Sequence, residues 1–153
     1  MAVTIRPASP ADIPELVRLE NACFSLPHTE EQFLHELQDD VYALFVASDG
    51  DAILGYAGLT HILDEGYITN VAVFSHARRQ GIADRLLAAL DDFAAASALS
   101  FISLEVRQSN TPAVSLYAKN GYRKTGEIPN YYTDPKENAL IMTKYYSASS
   151  EVV

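Results

Sequence analysis

The residues that most directly suggest chemistry lie where an apolar strand passes through a loop into a helix, within 70–90. The loop fits the pattern Gln/Arg-x-x-Gly-x-Gly/Ala through Arg78, Gly81 and Ala83. Glycine lets the backbone approach a ligand closely because it has no Cβ. The first turn of a helix adds free N–H groups and the positive end of the helix dipole. The loop is therefore predicted to bind an anion such as a pyrophosphate, with a plain surface loop as the alternative.

This loop differs from the dinucleotide-binding fingerprint. That fingerprint needs a second glycine two residues before Gly81, and Arg79 stands there. The arginine pair of Arg78 and Arg79 could neutralise phosphates, although paired loop arginines are more often simply solvated.

The elements before this loop are predicted to form the first half of a sheet. The alternating residues 3–6 favour a first strand. Two capping boxes, Asp12–Glu15 and Thr29–Gln32, predict two short helices. Three strands are then predicted as an antiparallel meander, with hairpin and turn signals between them, over 41–47, 52–60 and 67–73.

The elements after the loop alternate between helix and strand. A helix is predicted to begin at Gly81, and a strand is predicted over 101–106. A second helix is predicted to be capped by Thr111 and to end at Gly121. A terminal hairpin is predicted from 122–131 and 139–145. Strands without crossover helices, followed by strand–helix alternation, predict an α/β class with a mixed sheet and helices on both faces. We expect one domain over 3–146 and a frayed tail over 147–153.

Composition limits the classes of protein to which this chain can belong. Its 153 residues suit one domain with a full core, and its net charge of −9 argues against a nucleic-acid partner. No apolar run approaches the ~20 residues that cross a bilayer, and the first residues do not resemble a signal peptide. We therefore expect a cytoplasmic protein with no membrane partner. The single cysteine, Cys23, excludes an internal disulfide, offers no metal framework and is expected to be a buried structural thiol.

Three groups of residues further along match a known family in order and spacing: Leu104-Glu-Val-Arg-Gln-Ser-Asn110, Ala113-x-x-Leu-Tyr117 and Gly121-Tyr122. Together they resemble the second half of a GNAT-superfamily N-acetyltransferase. The run Asn130-Tyr131-Tyr132-x-x-Pro135-x-Glu137-x-Ala139-x-x-Met142 is similar to the RimI type, the bacterial N-terminal alanine acetyltransferases of ribosomal protein.

The resemblance spans nearly all of residues 3–145, and it implies the fold and the substrates. The fold would be the GNAT acyl-CoA N-acyltransferase fold, in which a mixed, mostly antiparallel sheet is flanked by helices. Acetyl-CoA would be the co-substrate, with no metal. The acceptor would be the N-terminal alanine of a bacterial small-subunit ribosomal protein (protein eighteen), and we expect the enzyme to be a monomer.

Acetyl transfer to an amine needs a proton acceptor for the amine and a proton donor for the departing thiolate. Glu105 lies in an otherwise apolar strand, where alternation puts it on one face with Ser103 and puts Leu104 and Val106 on the other. By itself this pattern is equally typical of a solvated glutamate. The resemblance implies that Glu105 is the proton acceptor and that Tyr117 is the proton donor, although Tyr117 could simply pack its helix against the sheet.

The resemblance also implies which residues contact acetyl-CoA. Those on the strand would pair through their backbone with the pantetheine arm, and those in the loop and first helical turn would bind the pyrophosphate. Asn110 would contact the co-substrate, and it also suits a turn or a cap. The predicted co-substrate residues are Val71, Ala72, Val73, Arg79, Gln80, Gly81, Ile82, Ala83, Asp84 and Asn110.

Two residues depart from the family pattern. Asp84 is acidic where the family often has a basic or neutral residue, and its carboxylate would repel a nearby pyrophosphate. His28 stands where RimI-type sequences usually have tryptophan, in a loop that shapes the acceptor site. Tyr131 and Tyr132 could line the acceptor groove, or could simply pair across the terminal hairpin.

The departure at His28 leaves a second hypothesis open, namely a GNAT enzyme that acetylates lysine side chains or a small amine. A third hypothesis is an acyl-CoA-binding module without catalysis. Glu105 and Tyr117 argue against this third hypothesis, because a binding module needs neither.

Overall fold

The computed structural model describes residues 2–146, in which a seven-stranded sheet carries four α-helices. The strands are β1 (Thr4–Pro7), β2 (Tyr42–Asp49), β3 (Ala52–Ile62), β4 (Glu65–Val73), β5 (Phe101–Arg107), β6 (Arg123–Thr133) and β7 (Lys136–Tyr145). The helices are α1 (Ile13–Cys23), α2 (Glu30–Leu37), α3 (Ile82–Ala96) and α4 (Thr111–Lys119). The tail predicted over 147–153 lies outside the described residues. No helix within 2–146 is long and apolar enough to cross a membrane.

The sheet has the order β1-β2-β3-β4-β5-β7-β6, and only the β4–β5 pair is parallel. The predicted mixed, mostly antiparallel sheet is therefore confirmed. The predicted placement of helices on both faces is confirmed too, because the buried residues form two clusters. One contains side chains of α1 and α2, and the other contains side chains of α3 and α4.

The parallel pair β4–β5 separates after a short contact, and this separation positions the site. The two strands pair only from Glu65 opposite Phe101 to Tyr67 opposite Ser103. Just beyond this point, Thr69 is an extra residue in the β3–β4 ladder. Such a bulge bends its strand and increases the local twist. The two strands consequently splay apart and leave a cleft in the middle of the sheet.

The start of α1 differs from the prediction. The expected capping box Asp12–Glu15 is absent, because Asp12 accepts a hydrogen bond from the backbone N–H of Ser9 at 2.8 Å, one turn earlier. The Asp12 carboxylate also pairs with Arg6 of β1 at 2.8 Å. Glu15 pairs instead with Arg18, three residues along the helix. Asp12 is therefore the last residue of a single 3-10 turn over 10–12, which begins after Ser9, and its carboxylate ties this turn to the sheet.

The caps of the other two short helices follow the sequence more closely. The predicted capping box of α2 is confirmed, since Thr29 and Gln32 exchange side-chain to backbone hydrogen bonds. In α4 the cap is Asn110 rather than Thr111, and its side chain accepts from the N–H of Ala113 at 3.3 Å. Gly121 ends α4 as predicted, with a φ of +97° that favours glycine.

Candidate active site

An open cleft of about 540 Å³ lies between the start of α3 and the side of α4, and the predicted anion loop forms one wall. We call it the outer cleft. It is lined by Val73, Ala77, Arg78, Arg79, Gly81, Ile82, Ala83, Asp84, Pro112, Ser115, Leu116 and Lys119.

The loop leaves open space where a ligand would approach its backbone. Gly81 has a φ of +77°, and a Cβ added there would meet no atom within 4 Å. The first helical hydrogen bond runs from the N–H of Arg85 to the carbonyl of Gly81 at 3.1 Å. The N–H groups of Ile82 and Ala83 therefore have no acceptor in the helix. The exposed Arg79 side chain forms no ion pair with any residue of 2–146, so a cation is available beside these N–H groups.

In the same loop, the side chains of Arg78 and Gln80 are hydrogen-bonded to backbone carbonyls. The Arg78 Nε donates to the carbonyl of Val73 at 3.0 Å, and its guanidinium lies 3.6 Å from the Cys23 sulfur. Arg78 therefore fastens the loop to β4. Cys23 is only half-buried and lines a cleft, so the expectation of a buried structural thiol is wrong. The Gln80 side chain bends back to the carbonyl of His76 at 3.5 Å and does not line the outer cleft.

Asp84 lines the outer cleft, but its charge is offset. Its carboxylate lies 3.1 Å from the Lys119 ammonium and accepts from the Asn120 side-chain amide at 2.9 Å. The hydrogen bond from Asn120, and then the contact with Lys119, hold the pKa of Asp84 below its usual value. The two contacts also fasten the start of α3 to the end of α4. The repulsion expected between Asp84 and a pyrophosphate is therefore weaker than the sequence suggests.

A second cleft of about 390 Å³ opens where β4 and β5 splay apart, and we call it the inner cleft. Both clefts are bordered by β4, the outer one through Val73 and the inner one through Val71, and both are bordered by residues of α4. It is lined by Cys23, Phe24, Ile68, Thr69, Asn70, Val71, Leu104, Glu105, Val106, Arg107, Asn110, Ala113, Tyr117 and Tyr132. The predicted catalytic pair and Asn110 therefore meet in one cleft.

The edge of β4 presents backbone groups to both clefts. The N–H of Phe74 donates to the carbonyl of Leu54 in β3 at 2.9 Å. Because backbone groups alternate along a strand, those of Val71 and Val73 point away from β3, towards the clefts. The backbone groups of Ala72 point to β3, and its side chain is buried. Of the three predicted strand residues, Val71 and Val73 can pair with a ligand through their backbone, and Ala72 faces elsewhere.

Glu105 lies on the exposed face of β5, and Leu104 and Val106 lie on the buried face, as alternation predicts. Ser103 shares the face of Glu105, yet it is buried and hydrogen-bonded to Thr143 at 3.0 Å. The Glu105 carboxylate accepts a hydrogen bond from the Tyr131 hydroxyl at 2.9 Å. This bond raises the pKa of Tyr131, because losing the proton would place two negative charges together. Sequence reasoning linked Tyr131 to the acceptor groove but not to Glu105.

Tyr117 reaches the same cleft from α4, although its side chain is largely buried. Burial, and then the nearby Tyr132, raise the pKa of Tyr117 to about 12. Its hydroxyl forms no hydrogen bond with other groups of 2–146 and stays protonated at neutral pH. Asn110, which caps α4 and lines the inner cleft, fixes the start of the helix that carries Tyr117.

Arg107 is a site residue that sequence reasoning missed. Its guanidinium lies over the Tyr132 ring at 4.3 Å and donates to the carbonyls of Pro135 at 2.9 Å and Asp134 at 3.2 Å. It therefore holds the β6–β7 turn and Tyr132 against β5. The sequence feature that could have identified Arg107 is its position as a basic residue, two positions after Glu105, in an apolar strand.

His28 is held in place by two carboxylates. Its Nε2 lies 2.9 Å from a carboxylate oxygen of Glu36, and its backbone N–H donates to Glu20 at 2.7 Å. Where the family usually has tryptophan, this chain therefore has a half-buried imidazole fixed between α1 and α2.

The sheet, the splayed strands and the order of the motifs define one class of protein. The family model described as the acetyltransferase (GNAT) family matches residues 13–122, and the chain belongs to that family. It is an acetyl-CoA-dependent N-acetyltransferase. Within residues 2–146, no group of three His, Cys, Asp or Glu side chains is arranged to hold a metal ion.

The chain is similar to three N-acetyltransferases of known name. A Bacillus subtilis protein, named provisionally as a ribosomal protein bS18-alanine N-acetyltransferase, is 37% identical over 132 residues, which cover 86% of this chain and 87% of the relative. The bS18-alanine N-acetyltransferase of Haemophilus ducreyi is 35% identical over 137 residues, covering 88% of this chain and 94% of the relative. The crystal structure of the S18-alanine N-acetyltransferase from Escherichia coli superposes with a TM-score of 0.86 at 30% identity and covers 94% of both chains.

Proposed function

We propose that this protein transfers the acetyl group of acetyl-CoA to the N-terminal alanine of ribosomal protein bS18 in the bacterial cytoplasm. The observation that carries the proposal is the meeting of an exposed carboxylate, Glu105, and a protonated hydroxyl, Tyr117, in one open cleft. The names of the similar proteins supply the acceptor.

Acetyl-CoA would be held in the outer cleft and along the β4 edge of the inner cleft. The N–H groups of Ile82 and Ala83, with the Arg79 side chain and the open space at Gly81, suit the pyrophosphate. Deeper along β4, the cleft-facing backbone of Val71 and Val73 suits the pantetheine arm in the manner of an added strand. The Val73 carbonyl already accepts from Arg78, so the Val73 N–H and the Val71 backbone are the groups left to pair.

Glu105 would take the proton of the acceptor amine. An α-amine has a reference pKa of about 8, so much of it is protonated at neutral pH and cannot attack a thioester. The Glu105 carboxylate is exposed in the cleft and can accept that proton directly or through a water molecule. The Tyr131 hydroxyl holds the carboxylate in one orientation until the acceptor arrives.

Tyr117 would assist the departing thiolate. A thiol has a reference pKa near 8.5, and the pKa of Tyr117 is about 12, so full proton transfer from tyrosine to a thiolate is unfavourable in the resting site. The Tyr117 hydroxyl is therefore better suited to donate a hydrogen bond to the sulfur as negative charge develops on it. The proton that Glu105 removes from the amine can then reach the thiol.

Three peptides separate the possible acceptors in vitro. The first begins with a free alanine and contains no lysine, the second is the same peptide blocked at its N-terminus, and the third is blocked but contains lysine. Release of free CoA thiol from acetyl-CoA is followed with a thiol-reactive dye. Turnover of the first peptide alone supports the proposal. Turnover of the third peptide, or of a polyamine, supports a lysine or small-amine enzyme instead, and CoA binding without turnover supports a binding module.

The identity of the protein acceptor needs a test in cells. Mass spectrometry of the small-subunit ribosomal proteins from a deletion strain should show bS18 lighter by one acetyl group. The wild-type gene should restore the mass, and a gene carrying Glu105→Gln should not. A fully acetylated bS18 in the deletion strain would refute the proposed acceptor.

A further inference from the structure

Glu20 is a buried carboxylate that the proposed chemistry does not use, and its contacts reach the inner cleft. Its side chain is 0% exposed. Burying the oxygens of a carboxyl group is costly unless hydrogen-bond donors replace the lost water. Three donors do so here, namely the Tyr56 hydroxyl at 2.5 Å, the Asn70 side-chain amide at 3.1 Å and the backbone N–H of His28 at 2.7 Å.

These three donors belong to three separate parts of the fold. Tyr56 lies in β3 within the core and is 1% exposed. Asn70 lies in β4 next to the extra residue Thr69, and it lines the inner cleft. His28 belongs to the loop between α1 and α2, whose residue Phe24 lines the same cleft. One carboxylate therefore connects the loop and the bulged strand to a common point in the core.

The loop over 24–29 is held at its start by Phe24, which packs against the core cluster of α1 and α2, and near its end by polar contacts of His28. Leu26, near its middle, is 90% exposed and anchors nothing by apolar burial. The His28 imidazole contacts Glu36 of α2, and its Nδ1 lies 3.8 Å from Glu20. Removal of the Glu20 carboxylate would leave the His28 N–H and the Asn70 amide without their buried acceptor.

We propose that Glu20 is a positioning residue that holds the acceptor side of the inner cleft, acting through the loop over 24–29 and through Asn70. This inference rests on the proposed function, because it takes the inner cleft as the place where the amine binds. None of the hydrogen-bond partners of Glu20 lines the outer cleft or belongs to the residues proposed to hold acetyl-CoA. Loss of the carboxylate should therefore weaken acceptor binding and leave acetyl-CoA binding unchanged.

The test compares Glu20→Met, which keeps the side-chain length and removes the acceptor oxygens, with Glu20→Gln, which keeps one of them. Glu15→Gln is the matched control, because it removes a carboxylate from an exposed pair on the same helix. Each variant is measured for acetyl-CoA Kd by calorimetry, for KM and kcat with the alanine peptide, and for amide hydrogen exchange over 24–29 without acceptor.

For Glu20→Met we expect an acceptor KM at least tenfold higher, loop amides exchanging at least tenfold faster, and an acetyl-CoA Kd within twofold of wild type. Glu20→Gln should change the acceptor KM and the loop exchange in the same direction, by more than twofold and by no more than Glu20→Met, and Glu15→Gln should match wild type.

The inference would be overturned if Glu20→Met left both the loop exchange rate and the acceptor KM within twofold of wild type. It would also be overturned if the acetyl-CoA Kd of that variant rose as much as its acceptor KM. If Glu20→Met does not fold, Glu20→Gln decides by the same criteria. If wild type turns over no alanine peptide, the proposed function fails, and the loop exchange alone still decides the role of Glu20.

Discussion

Replacing Gly81 by valine would test whether the outer cleft binds acetyl-CoA through the backbone of its loop. A Cβ at Gly81 meets nothing within 4 Å, so the substitution creates no clash in the free protein. Its φ of +77° is a conformation that disfavours other residues by about 1–2 kcal/mol, which sets the expected loss of stability. A bound pyrophosphate, by contrast, would occupy the space that the valine methyl groups fill. We expect the Kd for CoA to rise at least tenfold, which is about 1.4 kcal/mol.

The chain contains a matched control for the backbone strain. Gly50, in the β2–β3 turn, has a φ of +64°, and a Cβ there also meets nothing within 4 Å. Gly50→Val should therefore lower the free energy of unfolding by a similar amount while leaving the Kd for CoA unchanged. Urea denaturation measures the first quantity and isothermal calorimetry the second. If Gly81→Val binds CoA within twofold of Gly50→Val, the loop does not approach the pyrophosphate through its backbone.

Three further results are expected. The Glu105→Gln variant should bind acetyl-CoA normally but turn over at least ~100-fold more slowly. Higher pH should partly restore its rate, because the acceptor amine then deprotonates unaided. A rate within threefold of wild type across pH would mean that Glu105 is a solvated surface residue. The Tyr117→Phe variant should slow the chemical step while keeping the free energy of unfolding within about 1.5 kcal/mol of wild type. Its rate defect should shrink with an acetyl thioester of a more acidic thiol. Since the pKa of Tyr117 is about 12, deprotonation of this group should cause no loss of wild-type activity between pH 8 and 10. Asp12→Asn should cost about 1–2 kcal/mol of unfolding free energy at pH 7. Arg6 and Ser9 lower the pKa of folded Asp12 below its unfolded value near 3.9. The stability difference between wild type and variant should therefore reach its full size above about pH 4 and shrink as the pH falls further. A stability difference that grows in acid would refute this reasoning.

Local patterns predicted most of the elements but not every cap. The Thr29–Gln32 box was found because all of its bonds lie within four residues. Asp12 has the same kind of signal, yet its carboxylate pairs with Arg6 of β1, a contact that depends on how the chain folds back. At α4, Asn110 and Thr111 are both good caps by residue type, and Asn110 is the one whose side chain accepts from the first turn of the helix.

The candidate site shows the same division between local and distant contacts. Alternation along β5 predicts that Glu105 faces away from the core, and this is observed. The Tyr131 hydroxyl that contacts Glu105 comes from 26 residues further along, and the Asn120 amide that offsets Asp84 from 36 residues further along. Such partners depend on strand register and helix packing, which no local pattern encodes. The roles of these residues, and the domain extent of 3–146, stay predictions for the experiments above.

By itself, the sequence determined the properties that arise within a few residues. These are the order of strands and helices, the glycine that starts α3, and the face of β5 that carries Glu105, because each follows from backbone preference and alternation. Only the tertiary structure decided where β4 and β5 separate, and hence that Glu105 and Tyr117 share a cleft. Strand separation depends on the bulge at Thr69 and on its packing against the rest of the sheet. The placement of a buried carboxyl group such as that of Glu20 was decided in the same way, because its three hydrogen-bond donors meet only after the chain has folded.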